Sequence, residues 1–226
     1  MNTMTKLFTG LLVVGAASVH ALPIIGSASG TFTNPSGDPG MVVSGVGTNH
    51  FAWGVGDPSY LDMSGASFST STETIFSFGT LFYHNGTISS NTGATSVDLN
   101  VALLLTTPVA SQAYNFNFGL INTPNSTGTA LGDADYVSLT SSFAPTTFSY
   151  GGVDYTLEFV GFGSVSGSGV VTTVDEFHVF ESASAQAEML GRVTANIPGA
   201  VPEPSSMALM GLGALGLGFV ARRRRK

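Results

Sequence analysis

The segment Phe76-Ser77-Phe78-Gly79-Thr80-Leu81-Phe82-Tyr83 alternates large apolar side chains with small or polar ones. Successive side chains of a β-strand point to opposite faces, so this alternation predicts a strand buried on one side. Phe76, Phe78 and Phe82 are therefore predicted core residues. The same pattern recurs further along the chain, at Phe116 and Phe118 and at Tyr155, Leu157 and Phe159.

Working outward from this segment, about a dozen short strands are predicted between residues 27 and 197, separated by turns rich in Gly, Pro, Asn and Asp. Residues 64–70 are predicted to form one of these strands, and Gly167-Ser168-Gly169 is predicted to be a flexible loop. No helical period occurs between the two ends of the chain. The pattern favours an all-β fold, an antiparallel two-sheet β-sandwich of jelly-roll-like type. A single-layer or solenoid form is the alternative, but no repeat of 20–50 residues supports it.

The charge distribution is strongly uneven. Between Leu22 and Ala200 the chain has 13 Asp and Glu against one basic residue, Arg192. A domain of this charge repels phosphate backbones, so nucleic-acid binding is not expected. The chain has no cysteine, which excludes disulfides, thiolate metal sites and a cysteine nucleophile.

The N-terminus has the layout of a secretory signal peptide. Lys6 precedes an apolar run over residues 7–19, and small or tolerated side chains occupy Val19 and Ala21. This pattern predicts a signal helix over residues 1–21, with cleavage between Ala21 and Leu22. The alternative is an uncleaved membrane anchor, but the apolar run is short for spanning a bilayer.

The C-terminus predicts a membrane segment with a basic stop. Residues 205–221 carry no charge and are just long enough to cross a bilayer as a helix. Five basic residues follow and are expected to stay on the cytoplasmic side: Arg222, Arg223, Arg224, Arg225 and Lys226. Residues 22–200 would then form an ectodomain outside the membrane. A weak helix made to be released by an enzyme is an equally compatible interpretation.

The order of these C-terminal features resembles a known sorting signal. Val201-Pro202-Glu203-Pro204 precedes the apolar run and the arginine cluster, and together residues 201–226 resemble the PEP-CTERM signal of Gram-negative bacteria. The resemblance implies a membrane enzyme, exosortase, that recognises Pro202, Glu203 and Pro204 and cuts near them. Two prolines keep the backbone extended and accessible, which suits recognition by a protease.

The middle of the chain is similar to a second group, the choice-of-anchor K ectodomains. This resemblance rests on motifs spread over residues 30–195: Trp53-Gly54, Phe78-Gly79-Thr80-Leu81, Tyr83-His84-Asn85-Gly86-Thr87-Ile88, Asp135-Tyr136-Val137, Gly152-Val153-Asp154-Tyr155-Thr156-Leu157 and Phe180-Glu181. A THxN family of PEP-CTERM proteins is also similar, although here the His directly precedes the Asn. Neither group implies an activity.

No catalytic motif is found. His50, His84 and His178 are not spaced as metal ligands, and Gly163-Ser164-Val165-Ser166-Gly167 lacks serine at the central position of a nucleophile elbow. An enzyme is not predicted. Trp53 is either a sugar-stacking platform or a core residue, and packing is the more common role of a lone Trp in a strand.

Acidic turns suggest calcium as a potential ligand. The candidate ligands lie in or beside turns, where carboxylates and carbonyls can converge on a hard cation: Asp57 with Asp62, Asp133 with Asp135, and Asp175 with Glu176. The alternative is that these side chains cap or solvate their loops.

Together these features predict an exported surface or extracellular-matrix protein of a Gram-negative bacterium. Its expected partners are exosortase, the inner membrane before processing, and exopolysaccharide in a biofilm matrix. The sandwich is expected to be non-catalytic, without a cofactor, and structural or adhesive. The alternative is a Ca²⁺-assisted module that binds carbohydrate, in particular exopolysaccharide.

Overall fold

The computed structural model describes residues 23–140 and 146–196 of the 226-residue chain. The predicted signal segment with Ala21 and Leu22 lies outside the described residues. The same holds for residues 202–204, the apolar segment 205–221 and the basic residues 222–226. The described residues form strands and contain no helix, so none of them provides a helix long and apolar enough to cross a membrane.

Fourteen strands make up the described part of the chain. Numbered in chain order, they are β1 (Pro23–Gly37), β2 (Val43–Ser44), β3 (His50–Trp53), β4 (Ser59–Gly65), β5 (Ser67–Ser71), β6 (Ile75–Asn85), β7 (Ala94–Thr107), β8 (Val109–Ile121), β9 (Asp135–Leu139), β10 (Thr146–Tyr150), β11 (Val153–Gly167), β12 (Gly169–Thr173), β13 (Glu176–Val179) and β14 (Ala183–Asn196).

The strands form two seven-stranded antiparallel sheets. Sheet one has the order β12-β13-β9-β8-β7-β1-β5, and sheet two has the order β10-β11-β14-β6-β4-β3-β2. Inward-facing side chains of both sheets form one hydrophobic cluster between them. Five phenylalanines of this cluster are almost completely buried: Phe32, Phe51, Phe116, Phe118 and Phe177. The prediction of an all-β fold with two antiparallel sheets is confirmed.

A β-bulge at Gly79 divides β6 into two halves. On β14, Met189 pairs with Gly79 while the next residue, Leu190, pairs with Ser77, so one residue of β6 has no partner. An extra residue in one strand reverses which side chains face the core. Phe78 therefore points inward before the bulge, whereas Phe82 lies half-buried on the outer face after it. The prediction that Phe82 is a core residue is wrong for this reason.

Residues 64–70 do not form one strand. β4 ends at Gly65 and β5 begins at Ser67, and these two strands belong to opposite sheets. Ala66 makes the crossing, because it donates its amide to Phe78 of sheet two and accepts one from Ala28 of sheet one. A Cβ on Gly65 would lie 1.9 Å from the Ala28 carbonyl oxygen, so this close approach requires glycine.

The predicted loop at Gly167-Ser168-Gly169 is also a crossing between sheets. β11 of sheet two ends at Gly167 and β12 of sheet one begins at Gly169. Ser168 donates its amide to Ser184 on β14 and accepts one from Phe180. Because this backbone is paired on both sides, the prediction of a flexible loop is wrong.

The two ends of the sandwich differ in their connections. At one end lie the tight turns β5–β6, β7–β8 and β10–β11, the start of β1 and the end of β14, and we call this the hairpin end. At the other end lie the longer connections 38–42, 54–58, 86–93 and 122–134, and we call this the loop end. β14 runs from one end of the sandwich to the other. Its first residue, Ala183, pairs with Asn85 at the loop end, and its last residue, Asn196, pairs with Asp154 at the hairpin end.

The bulge predicts different effects for two neighbouring phenylalanines. Phe78→Ala should lower the free energy of unfolding by about 3–5 kcal/mol, because it leaves a cavity between the sheets. Phe82→Ala should lower it by about 1 kcal/mol, because this ring keeps an exposed face and loses mainly its stacking on Tyr60. Urea denaturation followed by the fluorescence of Trp53, the single tryptophan of the chain, measures both values. Equal losses would contradict the register of β6.

Candidate functional site

A cleft of about 500 Å³ opens at the loop end between the two sheets. Its floor is formed by Trp53 of β3, Tyr83 of β6 and Asp135 of β9. The loop 88–91 and the segment 120–122 form much of its walls. Surface loops at one end of a rigid sandwich are common locations for binding sites, so this cleft is the candidate site of the domain.

Trp53 forms part of the aromatic core beneath the cleft. It is 4% exposed and stacks on Phe51 and Tyr83, with ring centroids 5.5 and 5.8 Å apart respectively. A ring that is 4% exposed cannot stack on a sugar, since that contact needs an exposed face. The core role is therefore the one that the structure supports for Trp53.

Asp135 is a buried carboxylate at the start of β9. It accepts hydrogen bonds from the backbone amide of Thr123 at 2.8 Å and from the Thr123 hydroxyl at 3.2 Å. Burial raises the pKa of Asp135 to about 6, and the nearby Glu181 charge adds to the increase, while the two bonds from Thr123 oppose it. Asp135 therefore changes its charge in the mildly acidic range.

Tyr83 responds to the same surroundings. Its hydroxyl has a pKa raised well above the ordinary value, first by burial and then by the negative charges of Asp135 and Glu181. Tyr83 consequently stays neutral, with a hydroxyl able to donate and accept hydrogen bonds. The floor of the cleft thus offers a neutral hydroxyl next to a carboxyl group that titrates.

A second layer of polar groups lies behind this floor. Asn85 is fully buried and donates from Nδ2 to the Val179 carbonyl at 3.1 Å and to Glu181 at 3.5 Å. Its Oδ1 has no hydrogen-bond partner. Glu181 in turn accepts from the Thr87 hydroxyl at 3.3 Å. These contacts join the β6 end, the 86–93 loop and the β13–β14 connection.

The residues quoted for the choice-of-anchor K resemblance converge here. Trp53, Tyr83, Asn85, Asp135 and Glu181 come from four separate motifs and meet at the loop end. Membership of that family, or of the THxN family, stays a prediction. Sequence reasoning identified Glu181 only through a motif and did not single out Asn85 as a buried polar group. Asn85 lies two residues after Tyr83, and this spacing is the sequence signal that places Asn85 on the inward face of β6.

The first predicted calcium pair lies on the outer face of sheet two. Asp62 is 2.7 Å from Nδ1 of His50, and Asp57 is 3.5 Å from Nε2 of His84. The ring of Tyr60 packs against both histidines, with centroids 5.3 and 5.0 Å away. Each carboxylate of this pair therefore has its own histidine partner.

The second predicted pair is also divided between two tasks. Asp133 accepts hydrogen bonds from the amides of Thr127 at 2.7 Å and Gly128 at 2.9 Å, and it closes the exposed 127–133 loop. The hydrogen bonds from Thr127 have the largest effect in lowering the pKa of Asp133. Asp135, by contrast, binds Thr123 at the cleft floor.

The third predicted pair has local partners as well. Asp175 accepts from the Thr173 hydroxyl at 2.7 Å, and Glu176 accepts from the Thr172 hydroxyl at 3.0 Å. Within residues 23–140 and 146–196, no three His, Asp or Glu side chains are grouped in a way that could hold a metal ion. Calcium binding by any of these carboxylates stays a prediction.

The comparison with protein families concerns the C-terminus. Residues 200–225 match the model of the PEP-CTERM protein-sorting motif. The chain carries a PEP-CTERM sorting motif. The match agrees with the range 201–226 expected from the sequence, and it begins shortly after β14 ends at Asn196. The comparison with curated proteins finds no match.

The raised pKa of Asp135 predicts how stability depends on pH. The folded protein disfavours the ionised carboxylate, so the free energy of unfolding should fall as the pH rises from about 4 through about 6. A pKa raised from 3.8 to about 6 corresponds to about 3 kcal/mol, which screening by solvent reduces to about 2 kcal/mol. Asp135→Asn should remove this dependence, because the amide stays neutral and its oxygen can still accept from Thr123. Urea denaturation at several pH values between 4 and 8 measures the effect.

Asp98→Asn is the matched control with the opposite sign. Burial raises the pKa of Asp98, but hydrogen bonds from Asn117, Asn34 and Asn115 outweigh it, so the pKa is lowered. Asp98 therefore stabilises the protein above its ordinary pKa, and the control variant should lose stability at pH 7. If Asp135→Asn kept the pH dependence of the wild type, the assignment of Asp135 would be wrong.

Proposed function

We propose that the protein is an exported surface or extracellular-matrix protein of a Gram-negative bacterium, sorted by exosortase. The observation that carries this proposal is the sorting motif at residues 200–225, directly after a β-rich domain. A signal peptide over residues 1–21 directs export through the inner membrane. The motif then holds the precursor in that membrane until exosortase cuts near residues 202–204.

The domain itself is proposed to be structural or adhesive and non-catalytic. Its acidic surface keeps it soluble and away from other anionic polymers, and its stability comes from the aromatic core in the absence of cysteine. Asp57, Asp62, Asp98 and Asp133 are each engaged in local ion pairs or hydrogen bonds. This use of carboxylates fits a scaffold role better than acid–base chemistry.

Deletion of Pro202, Glu203 and Pro204 should abolish processing of the C-terminus. The wild-type protein should have an intact mass that corresponds to loss of both the signal peptide and the residues after the cut. The deletion variant should lose the signal peptide alone and stay in the membrane fraction. Intact-mass measurement of both proteins, from cells with and without exosortase, shows the difference.

The control for this experiment is deletion of Ile197, Pro198 and Gly199. These residues precede the matched range, so the control shortens the chain by the same length and leaves the motif complete. It should be processed like the wild type. Identical processing of the motif deletion and the wild type would exclude sorting by this motif.

The cleft supports a second proposal, a Ca²⁺-assisted module that binds exopolysaccharide. A sugar chain requires several hydrogen-bond donors and acceptors on a rigid support. The cleft supplies the Tyr83 hydroxyl and the carboxyl groups of Asp38 and Asp135, and the exposed Asn122 lies at its wall. Its volume of about 500 Å³ is sufficient for a small part of a polysaccharide.

Asn122→Ala tests the cleft without affecting the core. This exposed amide should lose a contact to the sugar, so calorimetry with purified exopolysaccharide should show about tenfold weaker binding, equivalent to one hydrogen bond of about 1.4 kcal/mol. Asn196→Ala at the hairpin end is the control and should bind like the wild type. Titrations with and without Ca²⁺ separate the role of the cation. Absence of heat for the wild type under both conditions would contradict the proposal.

A further inference from the structure

Exposed apolar side chains lie at the hairpin end, as they also do at the loop end, where Val42, Val55 and Leu131 are exposed. Val109 is 80% exposed at the turn between β7 and β8, and Tyr150 is 49% exposed at the turn between β10 and β11. Ile75, the first residue of β6, is 52% exposed. The strand registers place these residues at the end where β14 finishes, since Ile75 pairs with Arg192 and Val109 pairs with Thr106 beside the start of β1.

The chain leaves the domain from this same end. Asn196 pairs with Asp154, in the strand that follows the Tyr150 turn, and Pro23 pairs with Ser71. Residues 197–204 connect Asn196 to the apolar segment of the sorting motif. Eight residues extend to at most about 29 Å, so the hairpin end stays close to the point where the tail enters the membrane.

The opposite orientation is incompatible with this length. β14 has 14 residues and runs from the loop end to the hairpin end, a distance of about 43 Å at the usual rise of a strand. If the loop end stood on the membrane, Asn196 would be held about 43 Å above it, beyond the reach of residues 197–204.

Charge indicates which kind of surface fits the hairpin end. Arg192 is the one basic side chain among the described residues, and it is paired with Glu158 at 2.9 Å. Glu73, at the β5–β6 turn, is exposed. Among the described residues, this end therefore has no free Lys or Arg side chain to attract anionic groups, and the contact we consider is made by apolar and aromatic side chains. Tyrosine is favoured in the headgroup region of a bilayer, and exposed aliphatic side chains gain free energy when a lipid surface removes them from water.

We propose that the hairpin end rests on the lipid surface in the membrane-anchored precursor, with Val109, Tyr150 and Ile75 in the headgroup region. This inference rests on the proposed function, because it requires the sorting motif to hold the precursor in the membrane. The partner is the zwitterionic headgroup surface of the bilayer that holds the tail. The cleft at the loop end then faces away from the membrane and is accessible to polymers outside it.

The chain has no cysteine, so a single introduced cysteine gives one labelling site. Val109→Cys reports on the hairpin end, and Leu131→Cys, 51% exposed on the 122–134 connection, is the matched site at the loop end. Each full-length variant is labelled with a fluorophore and reconstituted into zwitterionic phosphatidylcholine–phosphatidylethanolamine vesicles. Part of the lipid carries a spin label at the headgroup, which quenches nearby fluorophores.

The label at Val109 should lose emission in the presence of the spin-labelled lipid, and the label at Leu131 should keep it. Equal quenching at both sites, or none at Val109, overturns the inference. Quenching by soluble iodide tests whether a second copy of the chain, rather than lipid, covers Val109. A second copy would shield the label from iodide, and the spin-labelled lipid would not quench it. This result would also overturn the inference. Flotation of the vesicles tests the proposed function separately, since a chain that does not float with them is not anchored. The fluorescence of Trp53 confirms that both variants are folded.

Discussion

The fold depends on keeping one face of every strand towards the space between the two sheets. A strand meets this condition when apolar and polar side chains alternate along it. One added residue turns every later side chain of the strand to the opposite face. The chain satisfies the condition over long stretches such as Val97 to Leu105 of β7, and it corrects the phase where the register changes, as in β6 and β11. The bulge at Gly79 is the clearest case, because the aromatic core is continuous across it, from Phe78 on one side to Tyr83 on the other.

That correction also determines the chemistry of the loop end. After the bulge the inward positions of β6 are Leu81, Tyr83 and Asn85, and the outward ones are Phe82 and His84. Tyr83 and Asn85 thereby come to face Asp135 and Glu181 across the sandwich. Without the bulge, the outward set would occupy the core and the polar network behind the cleft would not form. The core and the candidate site therefore depend on the same local feature.

The alternating segments were sufficient to predict the class of fold, since burial on one face is a local property that a single strand displays. The two crossings at Ala66 and Ser168 were not predictable in this way. Each of these residues is hydrogen-bonded and connects two strands that belong to different sheets. The pattern of apolar residues is the same whether the chain stays in one sheet or crosses to the other. Asp135 was identified as an acidic turn residue, but its raised pKa depends on burial between the sheets and on Thr123 and Glu181, which are distant in sequence. Partners of this kind are determined by the strand order, which local pattern does not contain.

Asp135 is costly to the stability of the domain. Natural sequences usually avoid placing an ionisable group where burial opposes its charged form, and departures from this rule are concentrated at functional sites. Here the departure lies at the floor of the loop-end cleft, and the nearby Glu181 also accepts from Asn85, whose amide oxygen is buried without a partner. Two other carboxylates are compensated by hydrogen bonds, Asp98 within β7 and Asp133 in the 127–133 loop. This contrast separates the loop end from the rest of the acidic surface, and it is the physical reason to locate binding there in a domain whose other features are those of a scaffold.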